Sequence, residues 1–551
     1  MKSNECVQNM HEELAPRKSG RAWKLGCAVL FAVAAACLVI PAQAGEKDWA
    51  TSGFDKSNTS HNPYEATISP GNVYKLNPKW TFTTGGDVSA RAAVANNIVY
   101  FPDWGGNLWA IDATSGVEIW GKQLSSYIGS GTQVNARATP TISNGVLFLG
   151  LQTGAWFLAI DAANGKLIWK KQLNTVDPYA IVTTAALVKD DVVYTGTAST
   201  QEANLSGAPG TALGSVVALD RWTGAILWHY YTTVPGYTGA DVWGNSPVVD
   251  DKRGLLYIGT GDNFNTPTDP AYLACNPGGT PELAAVCQSP HNHVDSVLAI
   301  DIRTGKLKWS YRAQTWNQPG VSNGSDFFNL SCLYRIGTCP TPTGPDYDFG
   351  QGPSEITYST KHGTKTIIGI GQKSGIYYAF DPDNGNLLWA TQVGPGSSLG
   401  GMEWGSASDG KRIYVAITNY YGIPWGGGSA GFWAALDPET GAVLWQTADP
   451  NGAIDLGPLT VANGVVYVPS TGQENTVDGG TGSSLTAPTM LALDASTGKI
   501  LWNFASGSSS IAGASVSDGS VYWGTGYTHL GVPGITGGNN TFYAFSISDK
   551  K

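Results

Sequence analysis

One pattern recurs seven times and constrains the fold more than any other feature of the chain. It reads Ala-x-Asp, two residues, Thr/Ser/Asn-Gly, three residues, Trp. The copies end at Trp120, Trp169, Trp228, Trp309, Trp389, Trp445 and Trp502, each in the same internal register. A β-rich run such as Ser215–Leu219 enters a tight turn, which Asp220 can cap while Gly224 supplies a positive φ. A second strand, Ala225–Trp228, leaves it. Two further short β-like runs precede each copy, as in Thr141–Leu149. Each repeat is therefore a four-stranded antiparallel unit, A-B-C-D, with the motif at the C–D turn. Units of this size arranged radially make a β-propeller, the large Trp filling the space between neighbours.

Both ends carry half-units. Lys75–Trp80 reads as a lone D strand and Phe542–Ser546 as a lone C strand. With A and B runs at Ile511–Val516 and Val521–Gly524 they complete an eighth blade, closing the ring without exposed edges. The expectation is an all-β, eight-bladed propeller occupying 45–551 as one domain. Strand parity then places function. The A–B turns are short (Asn96-Asn97, Asn144-Gly145, Asp190-Asp191, Asn463-Gly464), and the C–D turns are the motif itself. The insertions, 202–214, 262–295, 313–349, 419–431 and 471–488, all fall on the opposite face, where a site is expected.

Composition agrees. Charged residues make up 13% of the chain, against about 25% in an average globular protein. The 71 Gly and 20 Trp suit a turn-rich β protein. A net charge of −10 without Lys/Arg runs in the folded part argues against a nucleic-acid partner. Residues 1–44 read as a cleaved export signal: Arg17, Lys18, Arg21 and Lys24, an apolar run from Cys27 to Ile40, then Ala42-Gln43-Ala44. That run is short for a membrane span, and no later stretch is long and apolar enough to be one. Removing 1–44 leaves a charge near −12 and four cysteines, Cys275, Cys287, Cys332 and Cys339. An even count in an exported chain suggests two disulfides. Of three pairings, Cys275–Cys287 with Cys332–Cys339 closes the shortest loops and is the one expected. No Cys-x-x-Cys-His occurs, so the chain has no c-type haem motif of its own.

Several polar residues begin or close the elaborated loops. Glu202, Asp262 and Lys373 follow B runs, and Asp346 and Asp348 precede an A strand. Each alone reads as an ordinary loop residue or turn cap. Together, oxygen ligands converging from different loops are what a hard cation such as Ca²⁺ needs.

The docking motifs and the segments Gly85–Ala90, Tyr100–Gly106, Ala240–Pro247, Gly259–Asn263, Asp346–Gly350, Gln372–Gly375 and Gly400–Gly405 resemble the pyrroloquinoline quinone (PQQ) dependent alcohol dehydrogenases. Within that family the likeness is to the polyvinyl-alcohol dehydrogenase group, from about residue 48 onward. The resemblance implies oxidation of an alcohol, a secondary one with polymeric alcohols among the candidates, with PQQ and Ca²⁺ or a lanthanide as cofactors. Glu202 matches the metal-binding glutamate. Asp262 stands where the family has a metal-binding Asn, and Asn263 is the alternative match. Trp243 matches the indole stacked on the quinone, and Lys373 the cation beside its reactive oxygens. Asp346 matches the catalytic base and Asp348 an additional ligand, the pattern of lanthanide-using members; the reverse assignment stays open. Thr183, Ser199 and Trp404 join the cofactor-binding set.

Two departures stand out. Ala138-Thr139 lie near the position where many members carry a vicinal disulfide, and Arg137 beside them can reach a PQQ carboxylate. With no haem motif, electrons are expected to pass to a separate periplasmic cytochrome c. The competing readings are a non-catalytic scaffold for envelope protein assembly and a polymer-binding propeller, the latter resting on Tyr420, Tyr421 and Trp425.

Overall fold

The computed structural model describes residues 45–203, 211–244, 246–314, 324–334, 339–426, 428–472, 486–531, 535 and 537–547. The expected export segment 1–44 lies outside them. Among the described residues no helix is long and apolar enough to cross a membrane.

Eight small antiparallel sheets form a ring, an eight-bladed propeller. Blade 3 runs Leu187–Lys189, Val192–Ser199, Ser215–Asp220 and Ile226–Tyr231 from the axis outward. Blade 4 runs Val248–Asp250, Leu255–Gly259, Ser296–Asp301 and Leu307–Arg312, and blade 5 runs Ser354–Thr360, Gly363–Gly371, Ile376–Phe380 and Leu387–Gln392. The eighth blade joins the two ends as the half-units required. Its A, B and C strands are Ser515–Ser517, Ser520–Trp523 and Thr541–Ile547, and Leu76–Thr83 supplies D. The A strand there is shorter than the apolar run Ile511–Val516 suggests, because its first residues belong to the loop entering the blade.

The repeated Trp is the joint between blades. Trp120 Nε1 donates to Ala162 O of the next blade at 3.0 Å, and Trp228 Nε1 to Ile302 O at 2.9 Å. Trp80 and Trp502 make the same bond on either side of the eighth blade, to Ala113 O and Leu76 O, both at 3.0 Å. Each bond contributes on the order of 1 kcal/mol, beyond the apolar area that the indole buries. The motif glycine is needed twice over. Gly305 has φ 68°, and a Cβ there would lie 2.7 Å from the Trp228 ring. The motif Asp caps the turn as expected: Asp220 Oδ1 accepts from Thr223 N at 2.8 Å.

The inner edges of the A strands would carry unpaired backbone groups. The segment 49–62 covers them. Val94, Ile142, Val249, Glu355, Ser408 and Val461 donate their N–H groups in turn to the carbonyls of Trp49, Ala50, Lys56, Ser57, Thr59 and Ser60. Thr51 reaches Ala186 O and Asn62 reaches Val516 O, so every blade is engaged. Arg91 pins this lacing: it donates to Ser52 O and Ser60 Oγ on one side and to Leu459 O and Thr460 Oγ1 on the other.

The elaborated face carries both expected disulfides, Cys275–Cys287 and Cys332–Cys339. The first links two short helices, Pro270–Cys275 and Pro281–Cys287, within the 262–295 insertion.

Candidate active site

B-strand ends and D–A loops meet at the mouth of the ring. The Val192–Ser199 strand runs into a single 3₁₀ turn, Thr200–Ala203, that presents Glu202. Asp262 follows Leu255–Gly259, and Lys373 follows Gly363–Gly371. Asp346 and Asp348 come from the loop before Ser354–Thr360, Asp346 with a left-handed φ of 61°. Lys373 Nζ lies 2.7 Å from Asp346 Oδ1 and 3.2 Å from Asp348 Oδ2. Trp243 Nε1 donates to Asp348 Oδ2 at 2.8 Å, and Asp262 N donates to Asp348 Oδ1 at 2.6 Å. Asp262, Asp346 and Asp348 each place a carboxylate oxygen within 4.8 Å of the others.

These groups line a cavity of 370 Å³ together with Ser199, Glu202, Asp241, Glu403 and Arg137. Burial pushes Glu202 up to about 7; Lys373 and Arg137 oppose the rise and Asp348 adds to it. Glu403 is likewise pushed up to about 7, first by burial. Asp262 and Asp346 rise well above the usual carboxylate range, first by burial; their acidic neighbours add to it, and Lys373 does not outweigh that at Asp346. Burial disfavours the Lys373 ammonium, but Asp346, Asp348, Glu403 and Glu202 outweigh burial and hold its proton. Buried acids thus outnumber buried bases. Asp262 Oδ2 has no hydrogen-bond partner among the described residues. An orphaned carboxylate oxygen in an acidic, oxygen-only cluster is the condition a hard cation relieves.

A flat surface lies beside the acids. Lys373 Nζ sits 5.1 Å from the Trp243 ring centroid, and the Arg137 guanidinium carbon 5.6 Å from it. Thr183 Oγ1 holds the Trp243 loop through Trp243 O at 3.0 Å, and Ser199 N does so through Asp241 Oδ2 at 2.5 Å. Gly350 packs so closely that a Cβ would approach Trp243 Cη2 to 2.8 Å. Further round the cavity, Trp104 stacks on His529 at 4.1 Å and Trp404 meets Tyr527 edge-on at 5.7 Å. Arg137 donates to Tyr527 OH at 3.1 Å. Ala138, Thr139 and Thr183 line a smaller chamber of 80 Å³ that shares Arg137, Trp243, Trp404 and Tyr527 with the larger one.

The structure therefore brings together Glu202, Asp262, Asp346, Asp348, Lys373, Trp243, Arg137, Thr183, Ser199 and Trp404. Asn263 stands apart. Its side chain donates to Thr238 O at 2.6 Å and accepts from Asn292 Nδ2 at 2.7 Å, a buried amide network behind the cavity. Asp241, Glu403, Tyr527 and His529 also line the cavity, beyond the residues that the sequence points to. Asp241 and Glu403 do lie inside the segments Ala240–Pro247 and Gly400–Gly405, two residues and one residue before a Trp. Asp326 gave no signal. It is fully buried, and its carboxylate accepts from the N–H groups of Asp346 and Tyr347 at 2.9 and 2.6 Å.

The fold and this cavity define a repeat-built propeller with a candidate site on one face, and comparison with known proteins agrees on the fold. A family model described as outer membrane protein assembly factor BamB matches residues 69–269, 372–525 and 433–550. That is more than half of the chain, which belongs to this family. Polyvinylalcohol dehydrogenase of a Pseudomonas species is 27% identical over 528 residues, covering 88% of this chain and 74% of the relative. Quinohemoprotein alcohol dehydrogenase ADHIIG of Pseudomonas putida HK5 superposes with a TM-score of 0.67 at 16% identity, covering 92% of this chain and 81% of that one. A europium-containing methanol dehydrogenase superposes at 0.63 and 17% identity, covering 91% and 98%. The chain is thus similar in sequence to a polyvinylalcohol dehydrogenase and shares its fold with quinoprotein alcohol dehydrogenases.

Proposed function

We propose that this protein is a PQQ- and metal-dependent alcohol dehydrogenase. The observation that carries the reading is the continuous chain Trp243–Asp348–Lys373–Asp346, with bonds of 2.8, 3.2 and 2.7 Å, which joins a flat aromatic face to an acidic cation cluster. The 27%-identical polyvinylalcohol dehydrogenase supports it. Bound PQQ would supply the two-electron acceptor, and the cation, Ca²⁺ or a lanthanide, a Lewis acid. Glu202, Asp262 and Asp348 would hold the cation, Trp243 the ring, and Arg137 with Thr183 and Ser199 the polar periphery.

Asp346 takes the alcohol proton. Among the described residues Asp348 accepts three hydrogen bonds, from Asp262 N, Trp243 Nε1 and Lys373 Nζ, whereas Asp346 accepts only that of Lys373. Asp346 therefore has the greater remaining capacity for a proton. Lys373 steadies negative charge beside it. The aromatic side of the cavity, Trp104, Trp404 and Tyr527, excludes water around the reacting carbon. The substrate is a secondary alcohol, polymeric in the manner the relative's name indicates. A separate cytochrome c takes the electrons, since the sequence holds no haem-attachment motif. Residues 1–44 are cleaved on export to the periplasm, where both disulfides persist, and 45–551 is one propeller domain.

The test is reconstitution with PQQ and Ca²⁺ or a lanthanide, followed by alcohol-dependent dye reduction and a cofactor titration of Trp fluorescence. Neither turnover nor cofactor binding with any of these metals would leave the assembly scaffold that the family description names.

A further inference from the structure

Five consecutive residues on the elaborated face touch the backbone of every loop that carries a cation-site acid. Leu330 N donates to Glu202 O at 3.0 Å. Asn329 Nδ2 donates to Phe264 O at 2.9 Å. Phe328 N donates to Asn263 O at 2.8 Å, and Asp326 O accepts from Asn263 N at 3.0 Å. The Asp326 side chain takes the N–H groups of Asp346 and Tyr347, one on each oxygen. Phe327 O accepts from Gly344 N at 2.9 Å.

We infer that 326–330 is a strut that fixes the spacing of Glu202, Asp262 and Asp346, and that Asp326 is its positioning residue. The inference rests on the proposed cation site for its function, though not for its geometry. Three loops from two blades and the following D–A connection have no other common backbone partner among the described residues. The strut is itself held from behind. Phe327 is fully buried against Tyr237, Tyr272 and Ala284, with Tyr272 5.9 Å from its ring. Tyr272 and Ala284 sit on the two helices that Cys275–Cys287 joins, and Cys332–Cys339 closes the chain just past Leu330. Both disulfides thus brace one short segment. Gly344 belongs to the same joint, since a Cβ there would lie 2.1 Å from Asp326 Oδ1.

Asp326→Asn keeps the volume but can accept only one of the two N–H groups and turns a donor toward the other. Gly344→Ala displaces the carboxylate without removing it and serves if Asp326→Asn fails to fold. Hydrogen exchange of the full chain is compared among wild type and both variants, with Tb³⁺ titrated into each and Trp-sensitised emission recorded. The expected result is faster exchange at 200–203, 262–264 and 344–348 with blade strands unchanged, and Tb³⁺ affinity lower by about 10-fold to 100-fold. A folded variant with wild-type exchange in those segments and Tb³⁺ affinity within about two-fold of wild type overturns the strut. If wild type binds no Tb³⁺ while exchange rises in the variants, the strut stands and the cation site falls.

Discussion

Trp243 and Asp348 lie 105 residues apart in sequence, yet the indole N–H donates to the carboxylate at 2.8 Å. The flat face and the acid cluster are thereby one unit, and neither can shift without the other. Trp243→Phe keeps a ring but breaks this bond to a charged acceptor, worth about 1.5–3 kcal/mol. We expect roughly 10-fold or greater weakening of PQQ binding with the fold retained, read by cofactor titration and circular dichroism.

Asp346→Asn leaves a side chain of the same size that cannot accept a proton. Turnover should fall by about 100-fold or more, while Tb³⁺ and PQQ binding stay within several-fold of wild type. Glu202→Gln should also abolish turnover, but through lost cation affinity. Single-turnover kinetics with saturating metal separates the two cases.

Lys373 is the buried cation closest to Asp346 and Asp348. Lys373→Met should destabilise the metal-free protein by about 3 kcal/mol, because it leaves buried acids uncompensated. It should also tighten Tb³⁺ binding, since one positive charge is gone, while turnover is lost. Thermal melts with and without Tb³⁺ check this; a melt that the ion fails to rescue would contradict it.

Metal-free protein should lose stability as pH rises. Glu202 and Glu403 are pushed from an ordinary value of 4.5 to about 7. The folded state therefore binds more protons than the unfolded one between those values, and unfolding becomes easier as pH climbs from about 4.5 through about 7. Below that window both states are protonated, and above it the loss is complete. Saturating Ca²⁺ or lanthanide should flatten the slope. Denaturant melts at successive pH values, with and without the ion, measure it.

The blade joints can be tested apart from the site. Gly305→Ala meets both a φ of 68° and the Trp228 ring at 2.7 Å, and should cost about 2 kcal/mol or more. Gly131→Ala, with nothing within 4 Å, should be close to neutral. Equal melting temperatures for the two would contradict the docking account.

The sequence by itself determined the propeller. Asp, Gly and Trp at fixed spacing write the same turn and joint seven times, and the half-units at the two ends close an eighth blade. Turn lengths alone also separated the plain face from the elaborated one, because strand parity sends alternate loops to opposite sides. The tertiary structure decided what meets at the hub. It turned Asn263 into an amide network and left Asp262 facing the cavity. It brought in Asp241 and Glu403, and set Asp326 behind Asp346. It also laced 49–62 through all eight inner strands, mostly by backbone bonds that leave little pattern in side chains. Periodicity is a local property, repeated wherever a blade is built. Convergence depends on the paths of irregular loops, whose ends are distant in sequence and whose contacts follow no period.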